Sequence, residues 1–362
     1  MNYQGPHGAA GDDRAVRFTG NWREYLPIAA TNVLLIIVTL GIYRFWASAR
    51  ERRYLWSRTH VIDDSLEWTG TGKEMFFGFL MVVAALLPFY IAIQFLFPAL
   101  LTRGHEGAVL LIGFLLYVAF FWLTGFARFR ALRYRLSRSW WHGIRGGSDD
   151  SGVDYANQQL CYTAACAFAA FIPFPWAQSK LWNLRWSKMS FGPHGFHADL
   201  DSEGLWRRWL FIYAVPVIML VVGGILGGLG YAIFSDGSSG AVGFAAIFVG
   251  FFALIYLAIP LATLHWYAKF YRQAAASLRV GDLEFGFDAR TRDWLKLFLG
   301  NIGLAVITLG LGIAYWGYRN WSFLVRHVHL YGSVDLDSLT QSQTHAPRES
   351  EGFADAFDMG AI

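Results

Sequence analysis

Apolar positions in this chain run together in long uncharged blocks, set apart by short basic and polar segments. Four blocks, at 76–101, 107–127, 209–234 and 240–264, contain no Asp, Glu, Lys or Arg. Each has at least 20 residues, which at about 1.5 Å per residue spans a hydrocarbon core of about 30 Å. The links at 102–106 and 235–239 are short and polar, so the pattern predicts two transmembrane hairpins. Three further apolar runs, around 25–43, 157–179 and 297–318, are interrupted well inside by helix breakers. These are Thr39-Leu40-Gly41, Pro173-Phe174-Pro175 and Gly310-Leu311-Gly312.

The first and last of these runs share an order of residues. Asn32 precedes Thr39 by seven positions and Asn301 precedes Thr308 by seven. Aromatic residues and arginines then follow in both. A fainter version runs through Asn157, Pro173, Trp176, Lys180 and Arg185. Strand-like pairs lie between the helical segments. Val16–Gly20 reads as a strand, with Asn21 and Glu24 as a capping box after it. Thr59–Gly70 reads as two strands about Asp63-Asp64, and Leu278–Phe285 as a hairpin with Gly281-Asp282 at its turn. Similar pairs are expected around Gly192–Gly195 and Gly332-Ser333. A unit of apolar segment, basic aromatic helix and β-hairpin thus recurs about five times. The hairpins, marginal alone, are expected to pair with one another.

The fold class read from this pattern is an all-α polytopic membrane protein with internal repeats. It has four transmembrane helices in two hairpins, three broken, re-entrant or spanning apolar segments, and small cytoplasmic β-hairpins. The organisation is a flexible N-terminus at 1–15, repeat units at 16–150 and 151–288, a partial unit at 289–336 and a disordered tail at 337–362.

Composition agrees with a bilayer as solvent: 55% of residues are hydrophobic, 18% aromatic and 15% charged, against about 25% charged in soluble domains. The N-terminus has no apolar stretch resembling a cleavable signal peptide. The net charge of +4 gathers beside the apolar blocks. The two inter-block links hold one arginine between them, so they are expected outside and the basic segments, with both chain ends, in the cytoplasm. A run joining two cytoplasmic segments cannot cross once. The breakers favour re-entrant runs over seven plain spans.

Candidate chemistry is sparse. Nucleotide-binding, metalloprotease and serine-hydrolase signatures are absent from the sequence, so no enzyme activity, catalytic residue, cofactor or metal is expected. Cys161 and Cys166 read as packed thiols. His327 and His329 would share a strand face, but no Cys, and no Asp or Glu before Asp335, follows to complete a metal site; His194 and His197 flank a glycine turn and are read in the same way. Gly223, Gly224, Gly227 and Gly228 allow close helix contact. Asn32, Thr39, Asn301 and Thr308 are candidates for a polar path or a repeat interface. Arg50, Arg53, Arg130, Arg133 and Arg319, interleaved with aromatic residues, suit contact with lipid headgroups, including anionic ones. Nucleic acid is not an expected partner.

The arrangement resembles the YjgN family of bacterial inner-membrane proteins of unknown function. Phe18-x-Gly20, Asn32, Thr39-Leu40-Gly41-Ile42-Tyr43-x-x-Trp46, Arg53-Tyr54 and Trp68-x-Gly70 carry the resemblance. The family pattern usually has Pro where this chain has Phe45, and Lys where it has Ser48 or Arg50. The resemblance implies the inner membrane of a Gram-negative bacterium and supplies no reaction. Two function classes stay open: a transporter or channel for a small solute or lipid, and a structural or envelope-associated scaffold that binds a cytoplasmic protein through its β-hairpins. Neither reading specifies an oligomeric state.

Overall fold

The computed structural model describes residues 14–234, 238–332 and 340–345. The chain begins with β1 (Val16–Phe18), then α1 (Trp22–Val38) and α2 (Arg44–Ser57), followed by β2 (Thr59–Val61), β3 (Asp64–Ser65) and β4 (Glu67–Trp68). Next come α3 (Gly72–Ile91), which continues through a π-helical turn into α4 (Phe97–Thr102), and α5 (Glu106–Arg138). After β5 (Ser139–Trp141) and β6 (Ile144–Gly147) lie α6 (Val153–Phe168) and α7 (Phe174–Ser187). The rest is β7 (Ser190–Phe191), β8 (His194–Ala198), α8 (Glu203–Phe234), α9 (Ser238–Ala276), β9 (Leu278–Val280), β10 (Leu283–Phe287), α10 (Thr291–Ile307), a 3-10 turn, α11 (Trp316–His327) and β11 (Val328–Tyr331).

Each helical hairpin leaves one strand and returns to a neighbouring antiparallel strand. Val16 pairs with Val61 across α1/α2, and Trp68 with Ser139 across α3–α5. Gly147 pairs with Ser190 across α6/α7, Ala198 with Leu278 across α8/α9, and Phe287 with Val328 across α10/α11. Eight strands run in the order β11-β10-β9-β8-β7-β6-β5-β4, and β1-β2-β3 form a second sheet. Leu66 joins β3 directly to β4, and its N–H donates to Thr59 O at 2.9 Å. At the other end Val16 packs with Val325 and Leu330, placing β1 beside β11. The strands therefore follow one another around a ring, with helical hairpins leaving one rim and tight turns on the other.

The all-α reading is thereby corrected. The fold is mostly helical but carries a large antiparallel sheet, in which neighbouring hairpins pair as expected. Each strand is only two to five residues long, too short to signal a sheet locally. Pairing becomes favourable because each helical hairpin brings its own two flanking strands together.

Among the described residues, four helices are long and apolar enough to cross a membrane. Between 6% and 14% of each apolar window is buried within the protein, so these faces need an apolar surrounding. In the first, Phe97 N–H bonds back to Ala92 O, five residues away. That widened turn makes room for Pro98, whose ring would meet the carbonyl of Gln94 in a regular α-helix. Between α8 and α9, Gly223 lies against Phe251, where an added Cβ would come within 2.4 Å of the ring. Gly224, Gly227 and Gly228 meet nothing within 4 Å among the described residues.

The three shorter hairpins turn on a common backbone. Leu40, Ala170 and Leu309 have φ near +50°, and each is followed by a second left-handed residue. Gly41 N–H reaches Ile36 O at 2.8 Å, Phe171 N–H reaches Cys166 O at 2.6 Å, and Gly310 N–H reaches Ala305 O at 2.7 Å. This closes each helix in the manner of a Schellman cap. The middle turn comes earlier than the prolines suggest: α6 ends at Phe168, and Pro173 and Pro175 open α7 instead. Proline fits the first turn of a helix, where its missing N–H is not needed.

Glu24 also departs from its expected place. Asn21 Oδ1 accepts from Arg23 N–H at 3.0 Å, while Glu24 pairs with Arg58 at 2.8 Å. Much of the expected flexible N-terminus and tail lies outside the described residues. Within the tail, residues 340–345 lie against β6.

Candidate functional site

The inward faces of the strand ring are apolar by simple alternation. Leu283, Phe285 and Phe287 share one face of β10, separated by Glu284 and Gly286. Val328 and Leu330 do the same on β11, and Val16, Val61, Phe196 and Val280 add to the wall. Helices close it above with Trp182 of α7, Tyr271 of α9, Trp294 of α10 and Trp321 of α11. Together they bound a chamber of about 440 Å³, within the range of small-molecule sites.

Polar groups at the chamber are few. Trp141 Nε1 donates to Val61 O at 3.0 Å, and Trp321 Nε1 to Thr59 Oγ1 at 2.8 Å. Trp321 also stacks on Trp56, with ring centroids 4.1 Å apart. The indole N–H groups of Trp182 and Trp294 are buried and have no hydrogen-bond partner among the described residues. A buried donor without an acceptor costs about 1–3 kcal/mol, and neither nitrogen is exposed to the chamber's free volume.

The polar residues singled out along the sequence lie elsewhere, each within its own hairpin. Asn32 is buried and its Nδ2 donates to Ala47 O of α2 at 3.4 Å. Asn301 is more firmly tied: its Nδ2 donates to Asn320 Oδ1 at 2.9 Å, and its Oδ1 accepts from Arg319 Nε at 2.8 Å. Thr39 and Thr308 staple the hairpin tips. Each hydroxyl donates to the carbonyl four residues back, at 2.7 Å, and accepts from the N–H four residues ahead. A groove of about 690 Å³ separates α1 from the 3-10 turn at Leu311–Tyr315. Thr308 reaches that groove; Asn32, Thr39 and Asn301 do not line it.

The five arginines divide by environment. Arg50 and Arg53 are exposed on α2. Arg133 is buried, with Nη1 on Asp150 O at 2.8 Å, and Arg130 Nε donates to Ser151 O at 3.1 Å. Together with Arg319, these last two hold backbone and side chains inside the protein. Glu74 is a related node missed along the sequence: it completes a capping box with Thr71, accepts from Tyr134 Oη at 2.8 Å and pairs with Arg138 at 2.7 Å. His327 ends α11 rather than joining the strand. Its Nδ1 is 2.8 Å from Phe323 O, whereas His329 Nε2 is 3.2 Å from Asp288. No group of three potential metal ligands occurs among the described residues.

Long apolar helices rising from one rim of a strand ring, with lipid-compatible faces outward, define a membrane protein. Residues 13–356 match the family described as "Bacterial protein of unknown function (DUF898)", and the chain belongs to that family. It is also similar to proteins named "Inner membrane protein YjgN". The one from Salmonella typhimurium (strain LT2) is 30% identical over 130 residues, covering 36% of this chain and 30% of the relative. The one from Escherichia coli O157:H7 is 34% identical over 128 residues, covering 35% of this chain and 29% of the relative. The matched stretch thus spans less than a third of either relative's length. No solved structure matches the chain.

Proposed function

We propose that this protein is a multi-pass inner-membrane binding protein for a hydrophobic, lipid-like molecule held in the strand-ring chamber. The observation that carries this reading is the chamber's lining: twenty described residues, of which Thr59 and Tyr271 alone bear a hydroxyl and none is charged. In this reading the ring sits in the cytoplasm with both chain ends, consistent with the excess of basic residues near it. The five helical hairpins are copies of one unit, and the three shorter ones re-enter the bilayer without crossing it. No charged side chain lines the chamber, so coupling to an ion gradient has no support there.

Displacement of a fluorescent fatty acid from the detergent-solubilised protein tests the reading. The wild-type chain is expected to bind the probe. Ala275→Phe and Val280→Trp, which fill the chamber, are expected to abolish binding while leaving an unchanged melting temperature in at least one of the two. Probe binding indifferent to both substitutions would refute the chamber as the site.

One observation favours a second reading, in which the ring docks a cytoplasmic protein. The rim of the ring already carries an extended segment of this chain. Gln341 Nε2 donates to Gly143 O at 2.8 Å, Gln341 Oε1 accepts from Arg145 N–H at 3.2 Å, and His345 N–H reaches Asp149 at 2.9 Å. A partner segment could replace it. Removing residues 340–345 should then strengthen co-purification of such a partner, and the absence of any change argues against this reading.

A further inference from the structure

A second cavity, of about 770 Å³, lies at the foot of the α8/α9 pair and shares no lining residue with the chamber. We propose that it holds the phosphate of an anionic phospholipid headgroup. The site rests on the inner-membrane reading above, but not on the chamber's guest.

Arg208 of α8 and Arg272 of α9 form its inner wall and are half-buried. Each commits one nitrogen to the backbone: Arg208 Nη1 to His265 O at 3.1 Å, and Arg272 Nη1 to Ala289 O at 3.0 Å. A guanidinium carries five N–H donors in a planar fork, so each keeps donors for an anion while its position is fixed. His265 Nδ1 lies 3.1 Å from Thr291 Oγ1 and joins α9 to the start of α10. Arg290 and Arg292 stand exposed at the rim.

Charge at the site is unbalanced. Among the described residues, Asp288 is the one carboxylate in the lining, and it is 3.2 Å from His329. Asp293 is turned back to accept from Arg290 N–H at 2.9 Å. Among the described residues, none of the four arginines forms a salt bridge with a carboxylate. Four cations gathered around one cavity repel one another until an anion joins them. The first turn of α10, which begins at the rim, adds the positive end of its dipole.

Position selects a lipid over a free phosphate. Leu210 and Phe211 are exposed directly beyond Arg208 on α8, and Phe298 and Leu299 are exposed two turns up α10. The cavity therefore lies where the polar end of the helices gives way to their apolar faces. A phosphate at that level could send its acyl chains along those faces, and basic pockets between transmembrane helices are suited to such headgroups.

The test is lipid binding by the full-length protein in nanodiscs, followed by native mass spectrometry and melting temperature. Phosphatidylglycerol is expected to bind and stabilise the protein, and phosphatidylcholine is not. Arg290→Gln with Arg292→Gln, both exposed at the rim, should weaken phosphatidylglycerol binding about thirtyfold. Arg50→Gln with Arg53→Gln removes equal charge from α2 and should leave it largely unchanged. Equal losses from the two double variants, or equal binding of the two lipids, would mean diffuse attraction and overturn the site. Glycerol phosphate binding as tightly as phosphatidylglycerol would overturn the assignment to lipid. Carbonate extraction separates the two levels of the argument. Release of the protein into the soluble fraction defeats the membrane reading, whereas retention without lipid preference defeats this site alone.

Discussion

Asn301 and Asn32 occupy matching places along the chain but unequal environments, and their loss should differ accordingly. Asn301→Leu strands the Nε of Arg319 and the side-chain Oδ1 of Asn320. A hydrogen bond involving a charged group contributes about 1.5–3 kcal/mol, so a clear fall in melting temperature is expected. Asn32 makes one long bond, and its Oδ1 has no partner among the described residues. Asn32→Leu should therefore be milder, and an equal or larger loss would mean the two are not used as described. Asp150 allows a pH test outside the membrane-spanning helices. Burial pushes its carboxyl up, but the Gly152 N–H and the Lys188 ammonium 3.0 Å away outweigh this and hold it below the usual range. Lys188 is raised, first by its hydrogen bond to Asp150. The carboxylate's contribution is thus present above an ordinary value of about 4 and is lost as pH falls through its lower folded value. The lysine's contribution is lost as pH rises through its raised one. Asp150→Asn should lower the melting temperature at neutral pH, and the gap should close under strong acid.

At the scale of elements, the three short hairpins stop where the long ones continue. α1 has 17 residues, about 26 Å, whereas the first two spanning segments have 31 and 33, about 47–50 Å. All start from the same rim, so the short tips end within the bilayer if the long helices cross it. Leu40 and Leu309 are 94% exposed at those tips, and Phe168 is 95% exposed, an arrangement that suits lipid and not water. In a background lacking Cys161 and Cys166, Leu40→Cys and Leu309→Cys are expected to resist impermeant maleimides from either side, yet react with a permeant one. Labelling from the periplasm would make these runs spans. A separate constraint sits at the base of α3, where Gly72 meets α2. A Cβ there would lie 2.7 Å from Trp46 Cα, and backbone cannot move aside as a side-chain tip can. Gly72→Ala should cost roughly 1–3 kcal/mol, measured by thermal unfolding.

For the whole molecule, returning every helical hairpin to a strand beside the one it left puts the strands together on one side of the helices. Interior packing follows the same rule of neighbours. Tyr25, Trp56, Met75, Tyr134 and Tyr318 join the first, second and fifth hairpins, and Trp182, Leu205, Trp266 and Phe270 join the third and fourth. If the ring is cytoplasmic, His105→Cys in the α4/α5 turn should react with an impermeant maleimide in intact spheroplasts. Asp282→Cys in the β9/β10 turn should react only after lysis. The reverse pattern would invert the topology and place the basic pocket at the outer leaflet.

What the sequence alone determined was local in origin. Uncharged blocks of at least 20 residues specify long helices wherever they fold, because a buried backbone in lipid must bond to itself. Thr39, Leu40 and Gly41 specify a stop because a C-cap is built from adjacent residues, and Gly281-Asp282 specifies a turn for the same reason. Tertiary structure decided everything that needed distant partners. Strands of two to five residues close into a ring only when helical hairpins carry their ends together. The alternation of Leu283, Phe285 and Phe287 shows an apolar face, but not that seven other strands and four helices supply the rest of a chamber. Arg208, Arg272 and Arg290 carry no shared motif, and they become one site because α8, α9 and the start of α10 meet at the polar edge of the helices.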